Sequence, residues 1–171
     1  RARNELRETL ATRAASGTAF VTVMGASGSG KSSLVKAGLL PDLKTPGMVG
    51  RVGLTRHAIV RPGAHADDPV KGLAEALLRH EALPELSQQK YDADRLADLL
   101  REAPTQVTPP LETALERAGA AAELAAHAET RVCIIVDQLE ELFTRYDAGH
   151  GVRTAFVAAL EALATSGHAY V

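Results

Sequence analysis

Residues Gly25 to Ser32 read GASGSGKS, and their types and spacing suit the cradling of a phosphate chain. Glycines at 25, 28 and 30 let a backbone curl through positive φ and approach an anion closely. A loop curled in this way turns successive N–H groups inward. A helix expected to start near Lys31 adds the partial positive charge of its N-terminus at the same point. Lys31 would reach the β- and γ-phosphates as a point charge. Ser32 would offer a hydroxyl to Mg²⁺, a hard cation that prefers oxygen. The segment matches G-x-x-x-x-G-K-[ST] without deviation. A glycine-rich turn carrying an exposed lysine is the plainer alternative.

Asp137 closes the apolar run Val132 to Val136 (VCIIV). A carboxylate at the C-terminal end of a sheet strand sits where ligands bind in open α/β sheets, and there it can hold magnesium. Taken alone, such an Asp can equally be a helix N-cap. Glu140 and Glu141 follow about one helical turn later. Either could act as base or positioner for an attacking water. The competing reading makes them the solvated face of a short helix whose Leu139, Leu142 and Phe143 pack inward, and both readings stand. The six histidines, His150 among them, show no paired metal spacing. Cys133 lies mid-strand and reads as a small buried hydrophobe. Arg56, His57 and Arg61 flank a second strand, where surface roles compete with a phosphate-sensing arginine.

The elements that must position these residues alternate. Arg1 to Ala15 reads as a leading helix. Ala19 to Met24 (AFVTVM) reads as a buried strand feeding the glycine loop, and Lys31 to Leu40 as a helix closed by Pro41. Thr45 to Gly53 reads as a loop, and His57 to Arg61 as a strand. Asp68-Pro69 starts a helix, with an N-cap acceptor followed by proline at the first helical position. Asp92 opens a similar one, and Thr105 to Pro110 reads as a connector. A helical stripe runs from Leu111 to Ala125, and another from Val152 to Leu163, ended by Gly167. His168 to Val171 begins a further strand. This order predicts an α/β fold with a mostly parallel sheet covered by helices on both faces.

The 171 residues suit one domain, read as 1–17 leading helix and 18–171 core. With 19 basic and 21 acidic residues there is no electrostatic footprint for nucleic acid or an anionic membrane. The absence of Trp and an aromatic content of 4% weaken a base-stacking role. One cysteine excludes an internal disulfide framework. No apolar run approaches the ~20 residues of a membrane span. The expected compartment is the cytoplasm. The chain starts at Arg1 and stops within its last expected strand, so it is expected to be a fragment.

Three segments in order carry a resemblance to a known class. Val23 to Leu43 (VMGASGSGKSSLVKAGLLPDL) resembles the Walker A region of STAND-class P-loop NTPases, signal-transduction ATPases with numerous domains. It is most similar to a bacterial branch, the novel STAND NTPases, often fused to WD-repeat, tetratricopeptide or helix-turn-helix modules. Ile59 to Leu77 (IVRPGAHADDPVKGLAEAL) resembles that branch's arginine-proline-glycine strand end, and Val132 to Tyr146 (VCIIVDQLEELFTRY) its Walker B box. The resemblance implies an AAA/STAND-like core and an ATP-dependent switch whose ATP and ADP forms differ in domain packing or self-association. It implies Gly25, Ala26, Ser27, Gly28, Ser29, Gly30, Lys31, Ser32 and Ser33 as nucleotide contacts, and Ser32 and Asp137 as Mg²⁺ ligands. Lys31, Glu140 and Glu141 are the catalytic candidates. Many related ATPases carry a second acid directly after the Walker B Asp, where this chain has Gln138. That leaves the water-positioning group open among Gln138, Glu140 and Glu141 and implies slow hydrolysis. The class also implies other domains of a longer protein as partners, a further strand with a sensor arginine and a helical lid after Val171, and an adenine-seating motif before Arg1. In related folds the strand beginning near Ala169 lies between the two motif strands.

Two readings compete with this one. A small-molecule kinase would need a basic lid over the phosphates, and Arg51, Arg56 and Arg61 make a thin case for one. A transport ATPase would need an LSGGQ-like signature and a GTPase an N-K-x-D; neither motif is present. A non-hydrolysing scaffold that binds partners through its helix faces would show no nucleotide dependence, and intact phosphate-binding and metal-binding motifs argue against it.

Overall fold

The computed structural model describes residues 1–65, 68–146 and 151–171. Ala66 and Asp67, inside the second resembling segment, and residues 147–150, including His150, lie outside the described residues. Three strands form a parallel sheet in the order β1 (Val52–Val60), β2 (Glu129–Val136) and β3 (Ala169–Tyr170). The β-branched run of β2 is buried from both sides, as a central parallel strand requires. Alternate residues of β1 and β2, among them Ala58, Val60, Val132 and Ile134, join one apolar cluster with α4 (Pro69–Leu78), α6 (Ala93–Glu102), α7 (Thr108–Ala121) and α9 (Val152–Thr165). Cys133 and Ile135 face the other way, onto α1 (Ala2–Ala15) and the helical stretch 31–44. The sheet is thus covered on both faces, as the alternating pattern predicts.

Local chemistry explains the helix starts. Asp68 accepts the Lys71 N–H at 3.0 Å, and Asp92 accepts the Arg95 N–H at 2.8 Å. Pro109 and Pro110 lie in the first turn of α7, where a missing N–H is harmless, so the expected connector is a short 3₁₀ turn running straight into helix. Two further short helices are α5 (Glu85–Gln88) and α8 (Glu141–Thr144). β1 begins at Val52, five residues earlier than the sequence suggests, because β2 offers a matching backbone along its whole length.

Two expectations need correction. Pro41 does not close the helix that follows the glycine loop. Lys31–Ser33 (α2) runs into a π-helical segment, Leu34–Leu39, and then into Leu40–Lys44 (α3). The π segment resets the hydrogen-bond register, so Pro41 falls in the first turn of a new α segment and its missing N–H is tolerated. Ala19 to Met24 does not form a regular buried strand. Val21 N–H donates to Val171 O at 2.9 Å and Val171 N–H to Ala19 O at 2.8 Å, a single parallel rung. Residues 22–24 make no backbone–backbone hydrogen bond among the described residues, and Met24 is 87% exposed. A strand takes its regularity from its partner, and here the partner contributes one residue. The rung does set β3 between β2 and the segment that enters the glycine loop.

The turn after β1 is fastened to the turn after β2. Arg61 holds the Glu141 carboxylate with two N–H groups, Nε on Oε2 at 2.9 Å and Nη2 on Oε1. Gly63 N–H donates to Oε2 at 3.0 Å, and Arg145 Nη1 donates to Gly63 O at 3.4 Å. Any Cβ at position 63 would collide with the Glu141 carboxylate. Tyr146 OH is shared between the carbonyls of Pro62, at 2.8 Å, and His65. The Arg61 guanidinium holds the Glu141 carboxyl below its ordinary value against the opposing effect of burial, with the Gly63 N–H and the Arg145 charge helping.

The fold makes two predictions. Phe156 is fully buried in the larger cluster, so Phe156→Ala should lower unfolding free energy by about 3–5 kcal/mol in urea titrations. Because Glu141 titrates lower when folded than when unfolded, its contribution is complete above about pH 4.3, the free-chain value, and is lost as pH falls through the folded value. Wild type should therefore unfold at higher urea than Glu141→Gln at pH 7, and the gap should close on acidification. A gap that does not depend on pH would show that the charge plays no part.

Candidate functional site

Parallel pairing aligns the carboxyl ends of the strands. Val60 is the register partner of Val136, so Arg61 and Asp137 leave the sheet side by side. The loop 25–32 reaches the same edge. Ser32 Oγ donates to Asp137 Oδ1 at 2.7 Å, joining residues 105 apart in sequence. The serine hydroxyl and the carboxylate expected to share a metal therefore converge.

Within the loop, Gly28 and Gly30 have φ of +76° and +82°, the left-handed region expected of them. Gly25 does not share that conformation. Its constraint is space, since a Cβ there would stand 2.9 Å from Ser29 Oγ and 3.6 Å from Lys31 Cδ. Lys31 folds back over the loop, with Nζ donating to the carbonyls of Gly25 at 2.7 Å and Ala26 at 2.9 Å. Ala26, Ser27 and Ser29 are exposed along the loop, and Ser33 lies in the first turn of the helix.

Asp137 has a second partner, which the motif reading missed. Lys36 Nζ lies 2.5 Å from Asp137 Oδ2. The signal was present in the sequence: Lys36 follows Ser32 by four residues, the interval that puts two side chains on one helix face. Burial pushes the Asp137 carboxyl up. The hydrogen bonds from Lys36 and Ser32, the Lys36 charge and the Gln138 N–H outweigh it and hold the group below its ordinary value. Gln138 itself has φ of +57°, a left-handed conformation that costs a non-glycine residue about 1–2 kcal/mol. A strained residue directly after the strand-end carboxylate is typical of a functional edge.

The two glutamates separate. Glu141 is buried and committed to Arg61 and Gly63, a structural use that neither sequence reading contained. Glu140 is exposed, and its carboxylate has no hydrogen bond among the described residues. Leu142 packs inward as expected and Leu139 is half-buried, but Phe143 is 58% exposed, its ring 5.6 Å from the Arg153 guanidinium. Arg56 donates to His80 O at 3.2 Å and lies 3.6 Å from Glu85, away from the strand ends. Cys133 is buried, and burial pushes its thiol up to about 12, so it remains a neutral, small apolar side chain.

The site therefore brings together a glycine loop with two left-handed glycines, a lysine over that loop, and a hydroxyl and a carboxylate in contact. Two hard oxygen donors on rigid elements suit a hard divalent cation accompanied by phosphate oxygens. Among the described residues no helix is long and apolar enough to cross a membrane. No curated protein and no solved structure matches the chain. The family model described as Novel STAND NTPase 1 matches residues 1–171. The match runs the full length of the sequence, through the glycine loop, the Arg61 turn and the Asp137 strand end alike, and the chain belongs to the Novel STAND NTPase 1 family.

Proposed function

We propose that the chain binds Mg-ATP in the loop 25–33 and serves as a nucleotide-dependent switch with slow turnover. The observation that carries this reading is the contact between Ser32 Oγ and Asp137 Oδ1, at the mouth of a loop in which Gly28 and Gly30 already hold left-handed conformations. In this reading the loop amides and Lys31 bind the phosphates, with Lys31 trading its two carbonyl acceptors for phosphate oxygens. Ser32 and Asp137 hold the metal, which neutralises phosphate charge when bound. Gly25, Gly28 and Gly30 keep the backbone close enough to the phosphates for its N–H groups to donate.

Slow turnover is supported by the carboxylates. Residue 138 is an amide, Glu141 is held by Arg61, and among the described residues that follow the strand end Glu140 keeps an unengaged carboxylate. Glu140 is accordingly the acid assigned to orient water. The switch reading is supported by what the resemblance to STAND-class ATPases implies and by the site's place at the sheet edge. Changes in the phosphate chain act on the turns after β1 and β2, which are fastened together by Arg61 and Glu141. Neighbouring domains of a longer protein, or a second copy of the chain, are the partners whose packing would respond. The cytoplasm is the compartment that supplies ATP for such a switch.

Calorimetry with Mg-ATP, Mg-ADP and Mg-GTP on the folded chain tests this reading. Adenine nucleotides should bind, and Lys31→Ala should weaken binding on the order of ten- to a hundredfold through lost charge-assisted hydrogen bonds. Binding that Lys31→Ala leaves unchanged, or no binding by the folded wild type, would sink the proposal.

A further inference from the structure

Asp137 is already neutralised by the protein itself. Lys36 Nζ sits 2.5 Å from Oδ2 and Ser32 Oγ 2.7 Å from Oδ1, so both carboxylate oxygens are in use. The pair is partly exposed, with side-chain exposures of 37% for Lys36 and 20% for Asp137. Among the described residues Lys36 makes no other hydrogen bond or ion pair. It projects from the π-helical segment Leu34–Leu39, a geometry found mostly as local departures from α-helix at functional sites.

We infer that Lys36 is a resident counter-cation that holds the Asp137 position closed to a divalent metal until a nucleotide arrives. The inference rests on the Mg-ATP reading above for its purpose, but not for its test. An ammonium and a divalent cation compete for the same oxygen, and their like charges oppose joint occupancy. A metal arriving alone must break the Lys36 pair and leaves the ammonium without an anion. A metal arriving with a triphosphate brings new anionic oxygens beside the ammonium, so the exchange conserves the pairing of charge. Metal binding is thereby made conditional on nucleotide, and a free divalent ion does not by itself set the switch.

The test is a Mn²⁺ titration of the nucleotide-free 171-residue chain, with free Mn²⁺ read by electron paramagnetic resonance. Lys36→Met should bind Mn²⁺ about two- to fivefold more tightly than wild type, the scale of a partly exposed ion pair. Lys36→Arg, which keeps the charge, should stay near wild type. Adding Asp137→Asn to Lys36→Met should abolish the gain. Lys36→Gln serves as a second neutral variant if Lys36→Met does not fold by circular dichroism. Equal or weaker Mn²⁺ binding by the folded neutral variant overturns the inference, as does a gain that survives Asp137→Asn. Wild type that binds Mg-ATP while the neutral variant shows no gain removes the counter-cation role alone. A gain without any Mg-ATP binding removes the nucleotide reading alone.

Discussion

Parallel strand pairing is the constraint on which the rest of this structure depends. In a parallel sheet all carboxyl ends share one edge, and register fixes which residues meet there. The pairing of Val60 with Val136 makes Arg61 and Asp137 neighbours. A single residue, Val171, then ties the segment entering the glycine loop to the far side of β3. Without that order the serine of the loop and the aspartate of β2, 105 residues apart, would have no reason to meet. The covering helices keep the strands dry on both faces, so the ladder bonds are not exchanged for water.

Charge at this edge is balanced locally, pair by pair. Arg61 answers Glu141, Lys36 answers Asp137, and Lys31 rests on loop carbonyls. The two ion pairs differ in consequence. The Arg61 pair is planar and two-pronged, it is backed by the Gly63 N–H, and it fixes two turns against each other. The Lys36 pair is a single contact from a flexible side chain, which can be exchanged without moving the backbone. Rigid and exchangeable charges therefore stand next to each other.

Much of this was legible in the residues. Asp68, Asp92 and the prolines after or near them announce helix starts through capping chemistry that involves only neighbours. VCIIV announces a central strand because only burial on both faces suits five apolar residues in a row. The glycine loop is legible because left-handed φ and close approach admit few side chains. The misreadings share a cause. AFVTVM has the composition of a strand, but its partner supplies a single rung. Pro41 looks like a helix stop, but a π segment in front of it changes the register. Phe143 looks like core, but a cation takes it at the surface.

The alternation of strands and helices, the glycine loop and the strand-end carboxylate could be read from the residues alone, because each is encoded within a few consecutive positions. Tertiary structure decided which charge each carboxylate meets. Glu140 and Glu141 are adjacent and identical in type, yet one is buried against Arg61 and the other faces solvent. Lys36 stands on the same helix face as Ser32, but only the position of β2 turns that spacing into an ion pair with Asp137. An ion pair is a property of two positions in space, and the chain fixes the second position only when the sheet has formed.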